Sequence, residues 1–159
     1  MKTILFAILC ALAPADVETA RRAVIAWLEC EDCVSGELAA VVHYGDTVVP
    51  MLRAAILGGA SPATKAVLRL DLEERYDELV AREAKPPYAK VGSTKEAFVA
   101  RNLESLDAQY KIQAAMALAA IGTPSAKKAM QDGLASASRP DIREAIRSQL
   151  KKAAGRKHR

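Results

Sequence analysis

The stretch Leu38-Ala39-Ala40-Val41-Val42-His43-Tyr44-Gly45-Asp46 has a counterpart 77 residues further on, Ala115-Met116-Ala117-Leu118-Ala119-Ala120-Ile121-Gly122-Thr123. Beyond the turn the match continues: Val49 aligns with Ala126, Leu52 with Ala129 and Leu57 with Leu134. Each copy reads as helix, glycine, polar cap, helix. The glycine supplies the left-handed backbone that ends the first helix. Asp46 or Thr123 then serves as N-cap of the second. Such a hairpin cannot cover its own apolar face, so it must stack on neighbours.

The same periodicity extends outward from the two copies. Val17, Ala20, Val24, Trp27 and Leu28 form one face of a helix that precedes the first hairpin. Val49, Leu52 and Ile56 continue the hairpin until Gly58-Gly59 closes it. Ser61-Pro62 is an N-cap followed by proline at the first helical position. The helix behind it sets Leu68, Leu72, Tyr76 and Leu79 in register, with Glu73, Glu74, Asp77, Glu78 and Glu83 giving an acidic, solvated side. The segment from Lys85 to Gly92, with Pro86-Pro87, is a loop. Ser93-Thr94-Lys95-Glu96 reads as a capping box. It opens one long helix through Val99, Leu103, Leu106, Tyr110, Ala114, Ala117 and Ile121, ending at Gly122. Ala126, Ala129, Met130 and Leu134 face inward on the next helix, and Ile142, Ile146 and Leu150 on the last. No stretch carries a period-two strand pattern, since Val48-Val49 is too short and falls inside a helical one.

Composition agrees. Alanine fills 32 of the 159 positions and aromatics only 4%, which favours helices over sheets. Hydrophobic residues at 51%, charged residues at 26% and a net charge of +4 exclude wholesale disorder and a multi-span membrane protein. The expected fold is all-α: antiparallel helical hairpins stacked as a short α-solenoid or a compact helical bundle.

The turn Val41-Val42-His43-Tyr44-Gly45-Asp46-Thr47-Val48-Val49-Pro50-Met51-Leu52 resembles that of a HEAT repeat. Tyr110 to Gly122 is similar to the first helix of the short bacterial HEAT type, and Asp141-Ile142-Arg143-Glu144-Ala145-Ile146 looks like the start of a further copy. Trp27 to Cys33, through Gly36-Glu37-Leu38, also resembles small exported bacterial HEAT-like proteins. The resemblance covers roughly half the chain, and Ser61 to Leu106 departs from the repeat period. It implies a helical surface that binds a protein partner without catalysis.

Lys2 followed by the uncharged run Ile4 to Ala13, and then Ala13-Pro14-Ala15, has the layout of a secretory signal. The run is too short to span a bilayer. Residues 1–15 are therefore expected to be cleaved after Ala15. That leaves a helical domain over 16–154, a basic tail over 155–159, no transmembrane span in the mature chain, and a periplasmic or secreted bacterial location. Cys30 and Cys33 are the two cysteines of that mature chain. In an oxidising compartment such a pair reads first as a disulfide. A redox-labile pair and a metal site remain the alternatives. No βαβ context suggests a thioredoxin, Val34 stands where haem attachment needs histidine, and zinc wants four ligands. The neighbouring Glu31 and Asp32 disfavour a thiolate.

No catalytic, cofactor-binding or metal-ligating set emerges. His43 stands alone near the surface of its helix, and no nucleophile is paired with a base by motif. From Arg139 to Arg159 eight Lys/Arg face only Asp141 and Glu144, a segment suited to an anionic surface. Nucleic acid is disfavoured by the export signal and by the lack of aromatic stacking partners. The expected function is an exported, non-enzymatic scaffold binding a protein partner. The alternatives are a thiol-disulfide redox or metal-binding protein using Cys30 and Cys33, and a cytosolic HEAT protein handling nucleic acid or a cofactor. Binding is expected on exposed helix faces and not in a deep pocket.

Overall fold

The computed structural model describes residues 14–30, 35–83 and 91–155. Among them lie seven α-helices and no strand: α1 Pro14–Glu29, α2 Ser35–His43, α3 Val49–Gly58, α4 Pro62–Glu83, α5 Lys95–Ile121, α6 Pro124–Ser136 and α7 Pro140–Gly155. A 3-10 turn, Gly45–Val48, joins α2 to α3. The apolar run expected to be a signal peptide, Cys33 and most of the basic tail lie outside the described residues. The expected cleavage point after Ala15 falls in the first turn of α1.

Helix α5, about 40 Å long at 1.5 Å per residue, is the axis of the molecule, and each of the other six helices packs against it. Its sequence explains how it serves so many neighbours. Ala114, Ala115, Ala117 and Ala119 are buried in it, and such small side chains let helices approach on several sides. Around this strip Val41, Val48, Leu52, Ile56, Leu118, Met130 and Ile146 are fully enclosed. Trp27, expected in the core, is 3% exposed.

The two related hairpins, α2/α3 and α5/α6, lie side by side. Gly45 and Gly122 adopt the left-handed backbone expected of them, with φ of 53° and 70°. Thr123 caps α6 by accepting from the Ala126 amide at 3.3 Å. Asp46 departs from its expected role as a cap. The 3-10 turn separates it from α3, whose N-cap position is Val48 and carries no side-chain bond. Asp46 Oδ1 instead accepts from Thr123 Oγ1 at 2.5 Å and Ser125 Oγ at 2.6 Å. These short distances suit hydroxyls donating to a carboxylate. Equivalent turns of the two copies are thus bonded to each other. Arg53 of α3 reaches Asp132 of α6 at 2.9 Å, clamping the second helices in the same way.

The N-cap stands one residue later than expected, which puts Ala97 rather than Glu96 at the third helical position, so the box does not form. Thr94 rather than Ser93 accepts the Ala97 amide at 3.2 Å. The Ser93 carbonyl instead takes the Tyr76 hydroxyl at 2.7 Å, which ties α4 to the start of α5.

Helix α4 is the thinly packed element. Leu72 is its one buried residue, while Val67 and Leu70 are 64% and 67% exposed. Leu68, Tyr76 and Leu79 are half-buried. No helix among the described residues is long and apolar enough to cross a membrane.

Candidate functional site

The last turn of a helix leaves carbonyls without intrahelical partners. At the end of α1 these fall against the middle of α5. Gln113 Nε2 donates to the Cys30 carbonyl at 2.7 Å, and Gln109 Nε2 reaches the same oxygen at 3.2 Å. Trp27 Nε1 returns a bond to the Gln113 carbonyl at 2.9 Å. Tyr110 donates its hydroxyl to Glu29 Oε1 at 2.7 Å. Burial, and then the Glu29 carboxylate, hold the Tyr110 hydroxyl protonated well above its ordinary range. One end of α1 is therefore fixed to α5 by four side-chain donors.

The start of α4 is fixed to α5 independently. Gly59 takes φ of 75°, and a Cβ there would lie 2.6 Å from Cγ of Asp107. Asp107 uses that close approach. One carboxylate oxygen accepts the Ala60 amide at 2.9 Å and the other accepts Lys65 Nζ at 2.7 Å. Ser61 caps α4 as expected, accepting the Thr64 amide at 3.1 Å.

Between the two anchored ends a groove remains open. Its larger part, about 790 Å³, runs from Arg21 and Ile25 on α1, over Met51 and Ala54 on α3, to Ala63 and Thr64 on α4. A second part of about 490 Å³ shares Glu29, Ala63 and Thr64 with it and continues to Val67, Leu68, Asp71 and Leu106. The floor is aliphatic. Of the exposed large apolar side chains, Ile25 and Val67 stand in its walls.

The cations of the lining are engaged: Lys65 with Asp107 at 2.7 Å and Arg21 with Glu18 at 3.8 Å. Two carboxylates, Glu29 and Asp71, form no ion pair among the described residues.

The residues singled out from sequence lie elsewhere or at its margin. Cys30 is half-buried at the end of α1, its carbonyl held by the two glutamines. Cys33 is outside the described residues, so their pairing is not described either. His43 is exposed and meets Tyr44 edge-on, ring centroids 5.4 Å apart. On α7, Arg143, Arg147 and Lys151 stand exposed at intervals of four on one face, without ion pairs among the described residues. No group of three or more His, Cys, Asp or Glu among the described residues could hold a metal ion.

Sequence reasoning missed Asp107, Gln109 and Gln113, which build the groove's two ends. A signal did exist: long amides at Gln109 and Gln113, one turn apart, interrupt an alanine-rich helix face. No family model, curated protein or solved structure matches the chain.

Proposed function

We propose that the chain is an exported, non-enzymatic HEAT-like scaffold that binds a protein partner. The observation that carries this reading is the contact between equivalent turns, Asp46 against Thr123 and Ser125. Neighbouring repeats of a solenoid meet in that manner. α2/α3 and α5/α6 are then consecutive stacked units, α7 is the first helix of a third, and the short solenoid is preferred to an irregular bundle. α4 is an insertion laid along α5. The open, largely aliphatic groove suits a macromolecular surface, since Tyr110, Glu29 and Lys65 in its lining are bonded to protein partners among the described residues.

Export rests on the order of Lys2, the apolar run and Ala13-Pro14-Ala15. In that compartment Cys30 and Cys33 are joined, and the bridge fixes the crossing of α1 and α2. Two measurements on the chain made in its native host test these statements. N-terminal mapping is expected to give Asp16 in the envelope fraction. Affinity capture with the full chain is expected to enrich a discrete protein. Retained Met1 in the cytosol contradicts export, and enrichment of nucleic acid in place of protein contradicts the scaffold reading.

A further inference from the structure

We infer that the α1/α4 groove is the partner's docking site, and that its occupant is an amphipathic helix whose apolar face is flanked by lysine or arginine. This rests on the scaffold reading above and assigns it a place and a chemistry. The walls contributed by residues 21–29 of α1 and 63–71 of α4 are each about 12 Å long, which matches two to three helical turns. Both walls are helices, so a third helix completes a three-helix packing with ordinary ridges and grooves.

Two exposed apolar side chains, Ile25 at 39% and Val67 at 64%, stand in opposite walls of the groove. They would be covered by one occupant. Charge then selects its chemistry. Lys65 and Arg21 are already paired to carboxylates. Glu29 and Asp71 have no cation among the described residues and lie along the same groove. An occupant carrying lysine or arginine beside its apolar face pairs with both, whereas an anionic surface meets no unpaired cation among the described residues of this lining. A second copy of the chain fits poorly. Its basic end, Lys151-Lys152-Ala153-Ala154-Gly155-Arg156-Lys157-His158-Arg159, has no large apolar side chain to fill the groove.

The test uses the full chain and two labelled helical peptides of about 18 residues, long enough to populate helix. They share a leucine face and differ in flanking residues, all lysine in one and all glutamate in the other. Fluorescence anisotropy is expected to show saturable binding of the lysine peptide and at least about tenfold weaker binding of its glutamate twin. The difference narrows as salt rises to about 0.3 M. Ala63→Trp, which fills the groove where its two parts join, and Val67→Ser each weaken the lysine peptide. Asp71→Lys reduces the preference for lysine over glutamate. Circular dichroism melts of each variant establish that the fold is retained, and the two groove variants stand in for each other if one unfolds.

Equal binding of the two peptides overturns the inference, as does binding indifferent to both groove variants. Self-association or binding of phosphatidylglycerol vesicles that Ala63→Trp abolishes overturns it too. A native partner captured equally well by the Ala63→Trp chain overturns the groove while leaving the scaffold reading in place. The absence of any native partner removes both.

Discussion

Gly133 sits within α6 where that helix crosses α3, and it tests how closely the two hairpins pack. A Cβ at this position would lie 2.7 Å from both Cδ1 and Cγ1 of Ile56 and 3.1 Å from Cγ2. Ile56 is 1% exposed and β-branched, so it cannot swing clear. Overpacking of this kind costs about 1–3 kcal/mol. Against it stands the helix preference for Ala over Gly, about 0.8–1.0 kcal/mol. Gly133→Ala is therefore expected to be net destabilising by about 1 kcal/mol, a fall in melting temperature of about 2–4 °C.

Gly58 supplies the control. It is also helical, but a Cβ there meets nothing within 4 Å. Gly58→Ala is expected to stabilise by about 0.4–1 kcal/mol. Adding Ile56→Val to Gly133→Ala removes one clashing methyl, so the pair should couple by about 0.5 kcal/mol or more. Urea unfolding followed by far-ultraviolet circular dichroism reads the parent, the two glycine variants, Ile56→Val alone and the double variant. A Gly133→Ala chain that unfolds at higher urea than the parent refutes the close approach of α3 and α6.

Gln113→Met keeps the volume and removes the shorter of two bonds to the Cys30 carbonyl, leaving Gln109 at 3.2 Å; it should destabilise by about 0.5–1.5 kcal/mol in the same assay, and a neutral result contradicts the anchoring of α1. The Ser125 and Thr123 hydroxyls hold the Asp46 carboxyl below its ordinary value. Its stabilising contribution is therefore present above the unfolded carboxylate value of about 3.9 and is lost as pH falls through the folded value. The stability gap between the chain and Asp46→Asn should accordingly close in acid, and a gap unchanged across that range contradicts the turn-to-turn bond. Replacing Cys30 and Cys33 together by serine should lower stability by about 2 kcal/mol in the oxidised protein; two reactive thiols in protein taken from its native envelope contradict the disulfide.

Much of the fold was legible because helix signals are local. The apolar steps of α1, α5 and α7, the glycines at 45 and 122 and the cap at Thr123 each act within one or two turns of chain. What failed was the choice between neighbours of similar chemistry. Thr94 and Ser93 both cap well, and the Tyr76 hydroxyl takes the Ser93 carbonyl. Asp46 looked like a cap because its competing donors, Thr123 and Ser125, come from the other hairpin.

The groove was less legible still. It exists because Asp107 and the Gln109/Gln113 pair pin two helix ends 47 and 79–83 residues away in sequence. The two amides one turn apart are visible in the sequence, but nothing local says which distant helix end they bond. The exposure of Val67 and Leu70 was hidden as well, since apolar positions on a helix do not say which of them a neighbour will cover.

The most direct test of a scaffold that binds through the groove is site-specific photocrosslinking in the native host. A photoreactive phenylalanine analogue is placed at Val67 in one chain and at Ser148, exposed on α7, in another. A discrete protein adduct is expected from position 67, absent from position 148 and lost when Ala63→Trp is added. Adducts that are equally abundant from both positions, or unaffected by Ala63→Trp, would contradict it.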